Sequence, residues 1–238
     1  MHKTQTIPCM VLAAGRGERM RPLTDHTPKP LLKVRGKALI DWHIDGLATN
    51  HLTDIVVNHA WLGEQIIQHF NQGKHKKLNI QLSAENEALE TAGGLRQAMP
   101  LMKIDDYFFA INGDVFCPQF PFGRILEITN ELRKNERPPM AYLFLTQNPS
   151  HHPEGDFQLN GNLVTDKTSS SINHTFSGAG LYHQDLFKSI KMGSMAKLAP
   201  ILRSAMSESL VLGEMLNVLW VDVGTPERLA ELNSNDII

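Results

Sequence analysis

Residue types suited to phosphate chemistry crowd into one N-terminal stretch. Residues 12–32 read LAAGRGERMRPLTDHTPKPLL. Gly15 and Gly17 permit backbone conformations closed to other residues and let peptide N–H groups approach an anion with no Cβ in the way. Arg16, Arg19, Arg21 and Lys29 set four positive charges against Glu18 and Asp25, a balance that fits a polyphosphate better than a neutral ligand. Pro28 and Pro30 fix the backbone on either side of Lys29, and a lysine held this way suits contact with one particular oxygen. Two distant aspartates extend the set. Asp114 follows Asn112 and Gly113 at the end of an aromatic apolar run, and Asp222 stands in Trp220-Val221-Asp222-Val223-Gly224. A carboxylate just past a strand end can serve Mg2+, which wants hard oxygens and usually takes only one or two from protein. Singly, an Asp beside a turn glycine is more often a turn former; the pair gains meaning from the loop. A dinucleotide fingerprint fails here, because Gly-x-Gly-x-x-Gly would need glycine where Met20 stands, and the loop continues through two prolines instead of opening a helix.

The elements that must carry these residues can be read from periodicity. Residues 7–13 form an apolar run bounded by glycine, which predicts a buried strand ahead of the loop. Ile40, Ile44, Leu47 and Ala48 recur at helical spacing, residues 54–58 predict the next strand, Ile66, Ile67 and Phe70 a second helix, and residues 78–84 a third strand. Such alternation predicts an α/β fold with a largely parallel central sheet flanked by helices. Ligands in such sheets bind at the carboxyl ends of the strands, so the loop, the end of a strand over 107–111 and the end of another over 218–221 should converge. Thr91 to Gly94 are small residues opening a helix. Residues 123–136 predict an amphipathic helix, 140–145 a strand, and 157–159, 163–165 and 175–182 short β pieces. Two further helices are expected over 197–206 and 227–232.

At 238 residues with 42% hydrophobic content, the chain can bury one substantial core, and it reads as a single domain over 1–238. A formal charge of −2 argues against a general nucleic-acid binder. Cys9 and Cys117 lie far apart in apolar settings, which predicts two reduced, buried thiols and neither a disulfide framework nor a cysteine metal site. No run approaches the roughly 20 apolar residues of a membrane span, and residues 1–6 lack the apolar core of a signal peptide; a cytoplasmic protein with no membrane partner is expected. The adjacent His151 and His152 read as loop residues rather than metal ligands.

The ordered pattern Leu-Ala-Ala-Gly-x-Gly-x-Arg-Met-x-Pro-Leu-Thr-x-x-x-Pro-Lys-Pro-Leu at 12–31 resembles the signature of the sugar-1-phosphate nucleotidyltransferases. Within that family, NHAWLG at 58–63, LETAGG at 89–94, HHPEGDFQL at 151–159 and FSG at 176–178 are most similar to the uridylyltransferases of N-acetylmuramate α-1-phosphate, a bacterial cell-wall recycling branch. The resemblance implies a Rossmann-like nucleotidyltransferase fold with a nucleotide-binding half over about 1–115 and a smaller β-rich sugar-binding half over about 116–238. It implies Mg2+ held by Asp114 and Asp222, and a nucleoside triphosphate, UTP favoured, bound by Ala13, Ala14, Gly15, Gly17, Glu18, Arg19, Lys29 and Gly93. Arg19 and Lys29 are the implied catalytic cations, on the β/γ- and α-phosphates. Asn112, Gly155, Asp156 and Lys197 are the implied sugar-side residues, Lys197 as the extra cation that a lactyl carboxylate would need. Two departures stand out: Ala88 occupies the position where several uridylyltransferases place a base-reading glutamine, and Thr165-Asp166-Lys167-Thr168 replaces the usual Glu-Lys-Pro element. The implied reaction is attack of the sugar phosphate on the α-phosphorus with release of pyrophosphate. A phosphate monoester has a second pKa of about 6, so the nucleophile is already ionised near neutral pH and no general base is required. Other substrates within the family (glucose or mannose 1-phosphate, phosphocholine) and a non-catalytic nucleotide sensor are the alternatives. The absence of a repeat domain favours a monomer.

Overall fold

The periodicities resolve into alternating strands and helices. The computed structural model describes residues 6–72, 75–168 and 172–234. In chain order these form β1 (Cys9–Leu12), β2 (Lys33–Val34), β3 (Lys37–Ala38), α1 (Leu39–Thr49), β4 (Asp54–His59), α2 (Gly63–Asn71), β5 (Asn79–Ala84), α3 (Glu90–Ala98), β6 (Tyr107–Asn112) and β7 (Val115–Phe116). There follow α4 (Ile125–Leu132), β8 (Ala141–Thr146), β9 (Phe157–Asn160), β10 (Leu163–Asp166), β11 (Asn173–His183), α5 (Leu198–Ser207), β12 (Val211–Met215), β13 (Val221–Asp222) and α6 (Pro226–Asn233).

Nine strands make one sheet in the order β5-β4-β1-β6-β11-β8-β12-β10-β9. The first four are parallel, as helix-linked strands must be. Beyond β6 the sheet is mixed: β11 runs antiparallel to both β6 and β8, β12 parallel to β8, and β9 and β10 form an antiparallel hairpin. The cause is local, since only Gly161 and Asn162 separate β9 from β10, and a two-residue link permits only antiparallel pairing. The strand expected over 218–221 shrinks to β13, which pairs with β7 in a separate ribbon. Val218 and Trp220 spend their apolar side chains on packing against the core rather than on a sheet ladder.

Strand alternation divides the core into two layers. Cys9 and Val11 face one side with Ile55, Val57, Phe109 and Ile111, covered by α1, α2 and α4 through residues such as Ile44, Ile66 and Ile128. Met10 faces the other side with Val56, Phe108 and Ala110, covered by α3 and α5 through Leu95, Leu198 and Leu202. Full burial of such a side chain stabilises by about 1.5–3 kcal/mol, so β1, closed on both faces, is a rigid base for the loop that follows it. Cys9 and Cys117 are buried free thiols, and burial raises the pKa of Cys117 to about 12, leaving it un-ionised near neutral pH.

Candidate active site

The loop leaves β1 where β1 and β6 lie side by side, Leu12 opposite Asn112. β4 and β5 lie to one side of β1 and the chain returns to the other at β6, so the loop emerges at a topological switch point, where α/β sheets bind ligands. Gly17 takes φ +69°, and a Cβ there would meet Thr24 Cγ2 at 3.0 Å and Lys29 Cβ at 3.1 Å. Glycine is therefore required at 17 on two counts, the left-handed backbone and the crossing of the loop over its own lysine. A Cβ at Gly15 would meet nothing within 4 Å, so its absence leaves room for a ligand rather than for the protein.

The four loop cations separate into two pairs. Arg16 donates to the Thr24 carbonyl at 2.8 Å and to Asp25 Oδ1 at 3.0 Å, and stacks its guanidinium 3.8 Å from the Trp61 ring centre. Arg21 donates to the same Asp25 oxygen at 2.8 Å. The hydrogen bond from Arg16, with help from Arg21, holds the Asp25 carboxyl below its ordinary pKa. These two arginines fold the loop. Arg19 and Lys29 face the cavity. Beneath them Met20, Val34, Leu39, Phe116, Val223, Leu229 and Leu232 form a separate apolar cluster, which fastens the loop to the turn after β13.

Lys29 is 7% exposed. Its Nζ lies 2.6 Å from Asp114 Oδ2 and 3.8 Å from Asp222 Oδ1, so one cation reaches both distant aspartates. Arg19 stands 3.8 Å from Asp222 Oδ2. Arg228, which the sequence reading did not single out, donates through NH1 to the Asp222 carbonyl at 2.7 Å and to Oδ2 at 2.9 Å. Thr225 caps α6 through its side chain and Pro226 begins the helix, the local signals that bring Arg228 to this turn. His151 Nε2 lies 3.1 Å from Arg228 NH1 and 3.7 Å from Asp222 Oδ2. Burial and the neighbouring arginine hold His151 below its ordinary pKa, which suits an imidazole accepting from Arg228. Two carboxylates sharing one cation are a hard-oxygen donor pair of the kind Mg2+ uses, leaving its remaining positions to water and phosphate.

Two cavities of about 450 and 420 Å³ adjoin at this cluster, and both are walled by Arg19, Lys29, Asn112 and Asp114. The first is lined by Ala13, Ala14, Gly15, Gly17 and Glu18 of the loop, and opposite them by Ala88, Glu90 and Thr91. Within its wall a buried relay escapes sequence reasoning: Ala13 N–H donates to Asn58 Oδ1 at 2.7 Å, Asn58 Nδ2 donates to Glu85 Oε1 at 2.6 Å, and Leu89 N–H donates to Glu85 Oε2 at 2.9 Å. Burial raises the Glu85 pKa. The relay sets loop, β4 and the start of α3 at fixed distances. Gly93 lies one step away from the wall: its N–H donates to the Ala196 carbonyl at 3.1 Å, and a Cβ would come 2.5 Å from the Ser194 carbonyl oxygen.

The second cavity is lined by His151, His152, Phe176, Ser177, Gly178 and Trp220 besides the shared four. Asn112 reaches both cavities because Gly178, at φ +81°, yields to it; a Cβ there would lie 2.6 Å from Asn112 Nδ2. Gly155 and Asp156 stand behind this wall. Gly155, at φ +62°, packs against Asn148 and the His174 amide, and Asp156 accepts from the Phe176 N–H at 2.9 Å and pairs with His152 Nε2 at 3.1 Å. Together they tie the 148–156 turn to β11 and present the two histidines to the cavity. Lys197 is exposed at the N-terminal boundary of α5 and borders neither cavity.

The model of the nucleotidyl transferase family matches residues 9–155. Similar proteins include the N-acetylmuramate α-1-phosphate uridylyltransferase of Neisseria meningitidis serogroup B, 46% identical over 93% of this chain and 95% of that protein. Another of the same description, from Caulobacter vibrioides, is 30% identical over 93% and 96%. A mannose-1-phosphate guanyltransferase of Hypocrea jecorina is 28% identical over 92% of this chain and 61% of its own. Among solved structures, a Bacillus anthracis protein assigned as a glucose-1-phosphate thymidylyltransferase superposes with TM-score 0.81 at 19% identity, covering 98% and 97% of the two chains. HddC from Yersinia pseudotuberculosis with GMP-PN gives 0.74 at 16%, over 96% and 98%. The fold is therefore shared well beyond sequence similarity, and on the strength of the family match and of relatives aligned nearly end to end, the chain belongs to the nucleotidyl transferase family.

Proposed function

We propose that this protein transfers a uridylyl group from UTP to N-acetylmuramic acid 1-phosphate, giving UDP-N-acetylmuramic acid and pyrophosphate in peptidoglycan recycling, and that it does so as a cytoplasmic monomer. The observation that carries a two-substrate transfer is the shared wall: Arg19, Lys29, Asn112 and Asp114 border both cavities. The identity of the substrates is supported by the 46% identity to the Neisseria uridylyltransferase over nearly the full length. No helix among the described residues is long and apolar enough to cross a membrane, which is compatible with the cytoplasmic reading.

The triphosphate lies along the Gly15 and Gly17 backbone with Arg19 on its β- and γ-phosphates, so charge that develops on departing pyrophosphate meets a cation already in position. Lys29 turns to the α-phosphate. Its stem is packed under Gly17, which limits its search and favours one orientation. Asp114 and Asp222 would hold Mg2+, which would supply further neutralisation of phosphate charge. Arg228 keeps the Asp222 carboxylate in place, and His151 accepts from Arg228 beside it. The sugar phosphate enters the second cavity, where the Asn112 amide meets the N-acetyl group and His151 and His152 line the wall near the lactyl carboxylate. The chain holds no base-reading amide at Ala88, which lines the first cavity; uracil would be read by backbone groups there.

A grid of four nucleoside triphosphates against N-acetylmuramate, glucose and mannose 1-phosphates and phosphocholine, read by pyrophosphate release with and without Mg2+, tests the substrates, the transfer and its metal dependence. UTP with N-acetylmuramate 1-phosphate should lead by at least tenfold. A lead by another pair would overturn the substrates and keep the transfer, and binding without pyrophosphate release would make the protein a sensor.

A further inference from the structure

Outside both cavities, three segments of the first half bring a different set of donors to one point. Asp41 lies in the first turn of α1, His69 in the last turn of α2 and His75 shortly before β5. Asp41 and His75 are buried and His69 is half-buried. Asp41 Oδ1 is 2.7 Å from His69 Nε2 and 3.3 Å from His75 Nε2. One ligand atom from each of the three residues lies within 4.8 Å of the other two.

The 3.3 Å between Asp41 Oδ1 and His75 Nε2 matches two ligands of one metal, while the 2.7 Å between Asp41 Oδ1 and His69 Nε2 is a hydrogen bond that would open by about 0.6 Å as an ion enters. Ligand atoms about 2.0–2.2 Å from a tetrahedral zinc stand roughly 3.3 Å apart, and two imidazole nitrogens with one carboxylate oxygen are a familiar three-ligand set that leaves a fourth position for water. Mg2+ is the wrong ion for it, since imidazole suits zinc and its transition-metal neighbours while Mg2+ takes oxygen. The surroundings fit the same ion. His75 turns its other nitrogen, Nδ1, toward Asp45 Oδ1 at 3.9 Å, and Asp45 is itself paired with Lys37 at 2.6 Å; a carboxylate behind the ring is the usual partner of a metal-bound histidine. Phe70 packs its ring 5.2 Å from that of His69 and 5.9 Å from that of His75, giving the point an apolar flank.

We propose that Asp41, His69 and His75 form a zinc-binding site. The ion would fasten α1, α2 and the approach to β5 at one place. Both helices support the phosphate loop, α1 through the Leu39 N–H on the Leu32 carbonyl at 2.9 Å and α2 through Gln65 Nε2 on the His26 carbonyl at 2.8 Å. The site stiffens the base of the loop and touches no substrate.

The test is a zinc titration of the chelator-treated full-length protein against a chromogenic competitor, with thermal melts alongside. Wild type should take up zinc at this point and melt at a higher temperature with it. His69→Gln and His75→Gln should each bind on the order of 100-fold more weakly or worse, as loss of a direct ligand exceeds the 10–100-fold effect of outer-shell partners. Asp114→Asn should bind this zinc as wild type does, which separates the site from the catalytic carboxylates. Cobalt substitution should give a visible absorption band that both histidine variants lose. His69→Gln keeps a side-chain donor near Asp41, so its metal-free circular dichroism should match wild type and reports folding independently. Wild type without zinc affinity, undiminished affinity in folded His69→Gln, or loss of zinc binding in Asp114→Asn alone would each overturn the assignment.

Discussion

The two cavities meet at one wall and are built in opposite ways. The first takes most of its lining from consecutive residues of a single loop, with its glycines and cations encoded side by side. The second takes its lining from the 148–156 turn, the middle of β11 and the approach to β13, segments that meet only through strand register and the capping of α6. Chemistry carried on a contiguous loop needs that one loop to be fastened; chemistry gathered from three segments depends on each of them being placed. The contrast can be tested residue by residue.

The largest effect should come from the shared wall. Lys29→Ala and Asp114→Asn should each lower kcat on the order of 100-fold or more, the usual cost of one preorganised charge, with Tm within a few degrees of wild type. Near-normal turnover in either would remove that residue from the chemistry and leave the cavities without their common centre.

Acid should act on the first half before any catalytic group is involved. His43 sits on α1, fully buried, with Nε2 2.9 Å from the Val115 carbonyl beside Asp114, and burial pushes its pKa down from 6.5 to about 4. Between those values the unfolded chain takes up a proton that the folded chain refuses, so stability falls as pH drops from 6.5 toward 4. The total is about 3 kcal/mol. Denaturant midpoints measured across that window should show the slope in wild type and a clearly shallower one in His43→Gln, since His59 and His151 are also held below the ordinary histidine pKa.

Two glycine substitutions should separate the lobes. Gly15→Ala meets no protein atom, so it should leave Tm unchanged and raise KM for the nucleoside triphosphate by about tenfold or more, the effect of one misplaced methyl. Gly178→Ala forces a left-handed residue against Asn112; it should lower stability by about 1–3 kcal/mol and raise KM for the sugar phosphate instead. If both variants changed the same KM, the division into lobes would fail. The smallest effect belongs to Lys197→Ala, a change on an exposed helix boundary outside both cavities; less than about twofold in either KM is expected, and a larger change confined to a lactyl-bearing substrate would return Lys197 to the sugar side.

What could be read from the sequence follows the same division. The β1 run, the crossing at Gly17 and the placement of Lys29 are local, because pattern and conformation lie within the same twenty residues. The approach of Asp114 to Asp222 was expected from strand ends gathering on one side of the sheet, but β13 lies outside that sheet, and it is the β7–β13 ribbon, with Asp222 opposite Val115, that brings the two together. Arg16 and Arg21 were legible as charges but not as partners of Asp25, which needs the folded turn. Asn58, Glu85 and Arg228 gave no signal of their own: a polar residue inside a strand, a carboxylate after one and an arginine in a helix are each commonplace until a distant partner is known. Gly155 and Asp156 sit at the right turn and face inward to β11, a difference of side-chain direction that sequence spacing does not fix. Asp41, His69 and His75 were missed for a related reason, because the intervals between them follow no ligand spacing and only the contacts of Asp41 with the end of α2 and with the segment before β5 join them.

β11 is the one long strand that hydrogen-bonds to β6 on one side, to β8 on the other and to β9 at its start. The two lobes are therefore not separable bodies joined by a hinge, since pulling either away strips partners from the same backbone. Loss of order should spread through that strand as a single cooperative event, giving one calorimetric peak whose enthalpy, near 0.7 kcal/mol per residue or about 170 kcal/mol for the chain, agrees with the van't Hoff value.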